Sequence, residues 1–209
     1  MPYPVTVAIE PLVVGRNRLT TAFRLILAIP HLILVGGIGF SVAAGSGSRG
    51  TAYGGDTGLL GAVAWFLAIV SWFTIVFAGH HIIGIRQFTL YYMRWRVRAL
   101  AYLMLQEDQY PPFGDAAYPA SLTIEDPAGQ RNRLTVLVRI FLGIPHLIVL
   151  VFLIIAWWLT AVVAWLLILV TGEYPRGLYD FGVGVLRWLL RVQAYMLLMV
   201  DEYPPFSLN

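Results

Sequence analysis

Three long apolar runs dominate the chain, and their lengths predict membrane-spanning helices. The runs 19–42 and 59–83 each have the length of one span, which needs about 20 mainly apolar residues. The run 134–171 has 38 residues and carries no charge except that of Arg139. It is too long for one ordinary span, so we expect a hairpin of two short spans within 134–172, with its turn between 149 and 160. A re-entrant hairpin that does not cross is the alternative. The pattern therefore predicts four transmembrane helices.

Shorter patterned segments flank these runs. Alternating apolar and polar residues at 5–10 and again at 121–125 predict two short strands. The segments 86–106 and 177–199 combine arginine with apolar side chains, a pattern typical of amphipathic helices at a membrane interface. Each ends before Tyr-Pro-Pro-Phe, and two successive prolines stop a helix. The expected fold class is an all-α integral membrane protein in which each half has a strand, a two-span hairpin and an interfacial amphipathic helix.

The two halves of the chain repeat each other. Arg-Asn-Arg-Leu-Thr at 16–20 recurs 115 positions later, as does Ile-Pro-His-Leu-Ile at 29–33. Tyr-Pro-Pro-Phe at 110–113 recurs only 93 positions later. The difference of 22 residues is assigned to a Gly/Ser-rich loop within 36–61 of the first copy. We therefore divide the chain into a first repeat, 1–114, and a second repeat, 115–209.

Composition excludes several classes of protein. Of the 209 residues, 59% are hydrophobic and 12% are charged, whereas a soluble domain carries roughly 25% charged residues. The same figures, with a mean hydropathy of +0.75, exclude an intrinsically disordered chain and a nucleic-acid-binding protein. All 14 basic residues are arginine, and only Arg49 lies in the Gly/Ser loop. By the positive-inside rule, both termini and both amphipathic helices face the cytoplasm. The two copies are then parallel, with a pseudo-twofold axis along the membrane normal.

Each copy carries an arginine and a histidine inside its first apolar run, Arg24 with His31 and Arg139 with His146. The spacing of seven residues puts each pair on nearly the same helical face. The proline before each histidine removes a backbone hydrogen bond. These four side chains are candidates for a polar intramembrane site. We prefer a structural interpretation, in which each arginine reaches the headgroups, each proline makes a packing kink, and each histidine bonds to a neighbouring span.

The amphipathic segments supply a second group of candidates, in which arginines four positions apart share a helical face. The candidate lipid- or partner-binding residues are Arg94, Arg98, Arg187, Arg191, Trp95 and Trp188. Anionic headgroups would be their counter-charge, at about 1 kcal/mol per arginine near the surface. An acidic partner protein is a second interpretation. Neutralisation within the chain is a third, by Glu107, Asp108, Asp201 or Glu202.

The sequence offers little for catalysis. It has no cysteine, its four histidines are scattered, and it contains no nucleophile elbow or phosphate-binding glycine motif. We expect no enzyme activity, no metal and no cofactor. The predicted function is a scaffold or accessory subunit, with membrane lipids and other membrane protein subunits or itself as partners. One alternative is an anion-preferring channel along the pseudo-twofold axis. Another is a lipid-handling enzyme that uses His31 or His146 as its base.

Several motifs together resemble a known family. Arg-Asn-Arg-Leu stands before an Ile-Pro-His run, and Tyr-Pro-Arg-Gly-Leu-Tyr-Asp-Phe, Arg-Trp-x-x-Arg-Val-Gln-Ala-Tyr and Asp-x-Tyr-Pro-Pro-Phe follow. They resemble a bacterial integral membrane family known only as a domain of unknown function, DUF4389, present here as two tandem copies. The first copy departs from the pattern at 81–84. The resemblance implies a protein of the bacterial cytoplasmic (inner) membrane and supplies no activity or catalytic residue.

Overall fold

A computed structural model describes residues 3–37, 57–127 and 131–209 of the chain. These residues form two strands, β1 (Val5–Ile9) and β2 (Ala120–Ile124), which confirm the predicted strand at the start of each repeat. They also form five helices: α1 (Arg18–Val35), α2 (Gly58–Ala78), α3 (Ile83–Leu103), α4 (Arg133–Thr171) and α5 (Arg176–Met196). Three of these, α1, α2 and α4, are long and apolar enough to cross a membrane.

α4 is one continuous helix of 39 residues, so the predicted hairpin turn between 149 and 160 is wrong. The physical reason lies in the local sequence, because no glycine, proline, asparagine or aspartate occurs between Pro145 and Gly172. The helix ends at Gly172, whose φ of 78° lies in the left-handed region that glycine adopts without strain. The described residues therefore contain three candidate spans rather than four. At 1.5 Å per residue, α4 is about 58 Å long.

The two repeats share one architecture, which an insertion interrupts in the first. At the offset of 115, α1 corresponds to the first part of α4, 133–150. At the offset of 93, α2 corresponds to the remainder, 151–171. The first repeat thus contains the same long helix, divided by the 22 extra residues. The predicted loop extended to 61, whereas α2 begins at Gly58. Positions 38–56 of the predicted loop lie outside the described residues.

α1 and α2 lie end to end along α4 and run in the opposite direction. The indole of Trp165 donates to the Thr21 carbonyl (3.0 Å), and that of Trp72 donates to the Val136 carbonyl (3.1 Å). Val136 and Trp165 are about 43 Å apart along α4, so α1 and α2 must follow one another. How the two copies are oriented relative to a membrane stays a prediction. The pseudo-twofold axis is perpendicular to the long helices.

Each long helix buries one narrow stripe of residues. The buried positions of α4 recur at intervals of three and four, with one interval of seven after Leu150, a spacing typical of coiled-coil packing. They are Val136, Arg139, Gly143, His146, Leu150, Trp157, Ala161, Ala164 and Ile168. Much of the remaining surface is apolar and exposed, with Phe141, Phe152 and Val170 each more than half exposed.

The elements form three layers. β1 pairs with β2 antiparallel, and Val7 lies opposite Leu122 at the centre of the ladder. These two side chains point inward into the core, whereas Thr6 and Thr123 point outward and are exposed. β1 contacts α5 and β2 contacts α3, while α3 packs on α1 and α2, and α5 packs on α4. The predicted interfacial helices 86–106 and 177–199 are thus the middle layer, between the sheet and the long helices.

Candidate functional site

A partly buried carboxylate joins two arginines where α3 ends. Asp108 Oδ1 lies 2.8 Å from Nη2 of Arg16 and also pairs with Nη2 of Arg24. Its Oδ2 accepts a hydrogen bond from the backbone N–H of Asn17 (2.8 Å). Burial lowers the pKa of Arg16, and the charge of Asp108 opposes that effect. Asp108 therefore holds the beginning of α1 against the end of α3.

The second repeat builds the same arrangement around Asp201. Its Oδ1 lies 2.8 Å from Nη2 of Arg131 and 3.0 Å from Nη2 of Arg139. Its Oδ2 accepts a hydrogen bond from the backbone N–H of Asn132 (3.3 Å). We call each set of two arginines and one aspartate an Arg–Asp clasp. Each aspartate thus neutralises one arginine within a long helix and one just before it. The sequence interpretation had assigned Asp108 and Asp201 to the arginines of the amphipathic helices instead.

The clasp arginines also bind the carbonyl ends of the middle-layer helices. Arg24 Nη1 donates to the carbonyls of Tyr102 (3.0 Å) and Glu107 (2.7 Å). Arg139 makes the two equivalent hydrogen bonds in the second repeat, both at 2.9 Å. A helix C-terminus carries a partial negative charge, so these carbonyls supplement the single carboxylate of each clasp. Both guanidinium groups are nearly free of solvent contact, so unpaired donors are costly there. Their Nη atoms are paired, whereas Nε of each has no hydrogen-bond partner within the described residues.

His31 of the first repeat lies in an aromatic cluster. The indole Nε1 of Trp95 donates to Nδ1 of His31 (3.0 Å). The imidazole also stacks on Phe113 of the first Tyr-Pro-Pro-Phe motif, with ring centroids 4.6 Å apart. Because an indole can only donate, Nδ1 is an acceptor and the imidazole is held in its neutral form. Its partner lies on α3, not on a neighbouring span as the sequence suggested.

His146 repeats this arrangement in the second repeat. Its Nδ1 accepts a hydrogen bond from Trp188 Nε1 (3.1 Å), and its ring stacks on Phe206 at a centroid distance of 4.0 Å. Across residues 3–37, 57–127 and 131–209, no carboxylate forms a hydrogen bond with His31 or His146. Both histidines are almost fully buried, so each holds a Tyr-Pro-Pro-Phe segment against the middle layer.

The four residues of the predicted polar intramembrane site are not brought together. Arg24 and Arg139 belong to separate clasps, one in each repeat. His31 and His146 belong to separate aromatic clusters. The structural interpretation that we preferred is wrong for the arginines, which bind aspartates and carbonyls of the chain rather than reaching the headgroups. It is also wrong for the histidines, which bond to tryptophans of the middle layer rather than to a neighbouring span. The packing kink at each proline stays a prediction.

The six predicted lipid- or partner-binding residues differ in their surroundings. Trp95 and Trp188 are 6% exposed and bind the histidines. Arg98 is buried and pairs with Asp115 at 2.8 Å. The side chain of Arg94 is 37% exposed and lies 3.3 Å from the same carboxylate. In the second repeat, Arg187 Nε donates to the carbonyl of Val7 (3.2 Å), and Arg191 lies 6.0 Å from the ring centre of Tyr3. Lipid contact by these residues stays a prediction.

Arg96 is a buried residue that sequence reasoning missed. Its guanidinium donates to the carbonyls of Val35 and Gly37, the latter at 2.9 Å. These carbonyls end α1 at the point where the insertion divides the long helix. The equivalent residue of the second repeat is Leu189, which lies beside an undivided α4. The difference between the repeats at this position was the signal that could have found Arg96.

The segment that follows α3 contains buried polar groups that the second repeat lacks at the equivalent positions. Glu107 is 3% exposed, and burial raises its pKa to about 7, an effect that the nearby charge of Arg16 partly opposes. Within the described residues, Oε1 of Glu107, both amide atoms of Gln106 and Nε1 of Trp157 have no hydrogen-bond partner. The second repeat has Val200 in the place of Glu107.

An open apolar groove of about 670 Å³ runs between α2, α4 and the end of α5. Phe66, Ile69 and Phe73 of α2 form one wall, and Ile140 of α4 with Met196 of α5 lies opposite. Its chemistry suits a hydrocarbon chain and not a polar substrate. In the part of the chain that the structure describes, no three His, Cys, Asp or Glu side chains are grouped to hold a metal ion.

Fold and contacts together define a membrane-associated helical protein built from two copies of one unit. The chain belongs to the family described as Domain of unknown function (DUF4389), which matches residues 57–114 and 133–207. One match falls in each repeat, so the expected family and its duplication are confirmed. The second match begins at the first residue of α4, whereas the first begins just before α2, beyond the insertion. No curated protein and no solved structure matches the chain.

Proposed function

We propose that the protein is a non-catalytic scaffold or accessory subunit of the bacterial inner membrane. It would act within a larger membrane protein complex or as a homo-oligomer. The proposal rests on one observation: the buried arginines and histidines that could bind or convert a ligand are occupied by contacts within the chain. The two Arg–Asp clasps and the two His–Trp pairs bind parts of the same chain to each other. The surface that remains is apolar on the long helices and polar on the sheet.

The same observation disfavours the two alternatives. A general base needs access to a substrate, whereas His31 and His146 are buried with Nδ1 already bonded. An anion pathway along the axis needs Arg24 and Arg139 side by side, whereas each is paired in its own repeat. We therefore carry neither the enzyme nor the channel forward.

Anionic lipid is the headgroup partner in this proposal, with the arginine-bearing side of the molecule and both termini facing the cytoplasm. Arg94 is the most suitable residue for binding it, since its side chain is 37% exposed and its carboxylate partner is a distant 3.3 Å away. Arg98 offers a matched comparison, because it binds the same carboxylate while buried. Arg94→Gln is expected to reduce retention of phosphatidylglycerol and leave thermal stability unchanged. Arg98→Gln is expected to lower stability.

Extraction of the protein from its native membrane into polymer-bounded lipid discs tests the scaffold. Mass spectrometry of the particles is expected to show either a second membrane protein in fixed ratio or more than one copy of this chain. The same measurement after mild chemical cross-linking controls for loss of a weakly bound subunit. A particle that contains one copy of the chain and lipid alone, with and without cross-linking, would contradict the proposal.

A further inference from the structure

We infer that α1, α2 and α4 lie parallel to the membrane plane, within the hydrocarbon of one leaflet, and do not cross the bilayer. The inference rests on the proposed function and names the surface by which the scaffold holds lipid. That surface, called the apolar face below, consists of the outward side chains of these three helices. It includes Leu25, Phe66, Phe152 and Leu159, each more than half exposed.

Length is the first argument. α4 and the end-to-end pair of α1 and α2 are each about 58 Å long, nearly twice the hydrocarbon thickness of about 30 Å. Apolar exposure continues along this length, from Leu134 near one end of α4 to Val170 at the other. A layer one helix thick measures about 10–12 Å, which fits within one leaflet of about 15 Å.

The position of the polar layers is the second argument. The sheet and the two middle-layer helices lie beside the long helices, not beyond their ends. If the long helices crossed the bilayer, these layers would lie alongside them in hydrocarbon. The exposed Thr6, Thr123 and Asp126 would then lose their water. With the long helices in the plane of the membrane, the same layers point away from the lipid and stay hydrated.

The two ends of the long helices give the third argument, because both are charged. Arg18 is exposed at the beginning of α1 and approaches Gly172 at the end of α4. Arg133 is exposed at the beginning of α4 and approaches Gly79 at the end of α2. The in-plane arrangement puts both arginines at the headgroup level of the same leaflet, in agreement with the one-sided charge that the positive-inside rule demands.

Exposed aromatic residues mark the same level. Tyr110 and Phe113 of the first Tyr-Pro-Pro-Phe motif are about half exposed, as are Tyr203 and Phe206 of the second. Both motifs stack on histidines of the long helices and contact tryptophans of the middle layer. They therefore lie between the lipid-facing and water-facing layers, where amphipathic aromatic rings are favoured.

The natural absence of cysteine permits a direct test with single-cysteine variants. His80→Cys and Glu173→Cys occupy equivalent positions of the two repeats, both exposed, at opposite ends of the long-helix layer. Phe152→Cys lies midway along α4, and Thr123→Cys lies on the outer face of the sheet. Each variant is treated with a membrane-impermeant maleimide, once in spheroplasts and once in inverted inner-membrane vesicles.

We expect the maleimide to label the variants His80→Cys, Thr123→Cys and Glu173→Cys in inverted vesicles only. Position 152 is expected to react in neither preparation and to become reactive after detergent is added. Reaction of 80 and 173 from opposite sides would show that the long helices cross, and would overturn the inference. Reaction of 152 from the side opposite to 80 would show a hairpin, and would overturn it equally. If Phe152→Cys does not accumulate, Leu159→Cys serves the same purpose, since it is 65% exposed.

A distance measurement provides an independent readout. Spin labels on the double variant His80→Cys/Glu173→Cys are expected to lie about 58 Å apart in lipid, as the length of α4 requires. A separation below about 30 Å would show that α4 folds back on itself in the membrane and would overturn the inference. Neither labelling nor distance depends on a bound partner. The scaffold proposal can therefore fail while the in-plane arrangement stands, and the reverse is also true.

Discussion

Replacing Asp108 by asparagine removes the only carboxylate of the first Arg–Asp clasp and keeps its size. Two buried guanidinium groups, those of Arg16 and Arg24, then lose their counter-charge. At an effective dielectric constant of about 20, two unit charges 2.8 Å apart attract each other by about 6 kcal/mol. Desolvation offsets much of this attraction, and breaking a buried pair by removing one partner costs about 3–5 kcal/mol.

The assay is thermal unfolding in detergent, followed by tryptophan fluorescence. For a chain of this size, 1 kcal/mol corresponds to about 2–4 °C, so Asp108→Asn is expected to lower Tm by about 6–20 °C. Asp201→Asn removes the equivalent carboxylate of the second repeat and is expected to act similarly.

Asp126→Asn is the matched control for burial. Asp126 pairs with Arg86 at 2.7 Å, but its side chain is 87% exposed, so its loss should cost less than about 1 kcal/mol. Equal small shifts for Asp108→Asn and Asp126→Asn would refute the reasoning, because they would show that the clasp is as hydrated as a surface ion pair.

Three further substitutions have definite expectations, each measured as Tm in the same detergent. Arg96→Leu leaves the carbonyls of Val35 and Gly37 unpaired and should cost about 1–3 kcal/mol, and an unchanged Tm would count against the role of Arg96 at the end of α1. Trp95→Phe leaves Nδ1 of His31 without a donor and should cost a similar amount of stability. Trp188→Phe makes the same test in the second repeat, and an unchanged Tm in both variants would disprove the role of the indole. Glu107 has its pKa raised from 4.5 to about 7, so the folded chain binds more protons than the unfolded chain between these values. Stability should then fall by up to about 3 kcal/mol as pH rises from about 4.5 to 8, and Glu107→Gln should abolish that slope; a slope that persists would assign it to another group.

Local sequence was sufficient where a pattern depends on neighbouring residues. The alternation at 5–10 predicted β1, and the amphipathic pattern at 177–199 predicted α5, each to within a few residues. The failure at 149–160 had another origin. The turn was inferred from the length of the apolar run alone, although no residue at 149–160 favours a turn. The clasps were partly visible, because Asp108 and Asp201 recur at the same offset as the helices that they follow. Their partners were not, since they lie about 60 to 90 positions away.

By itself, the sequence determined that the chain is duplicated, that it is rich in apolar helices, and that its basic residues are concentrated outside the Gly/Ser loop. These properties follow from composition and from periodicity along the chain. Only the tertiary structure decided the direction of the long helices relative to each other, the burial of the two amphipathic helices, and the pairing of Arg24 and Arg139 with aspartates. An apolar run carries no information about which neighbour will cover it, and a charged side chain carries none about which opposite charge will reach it. Both depend on contacts between distant segments, which form only when the layers pack.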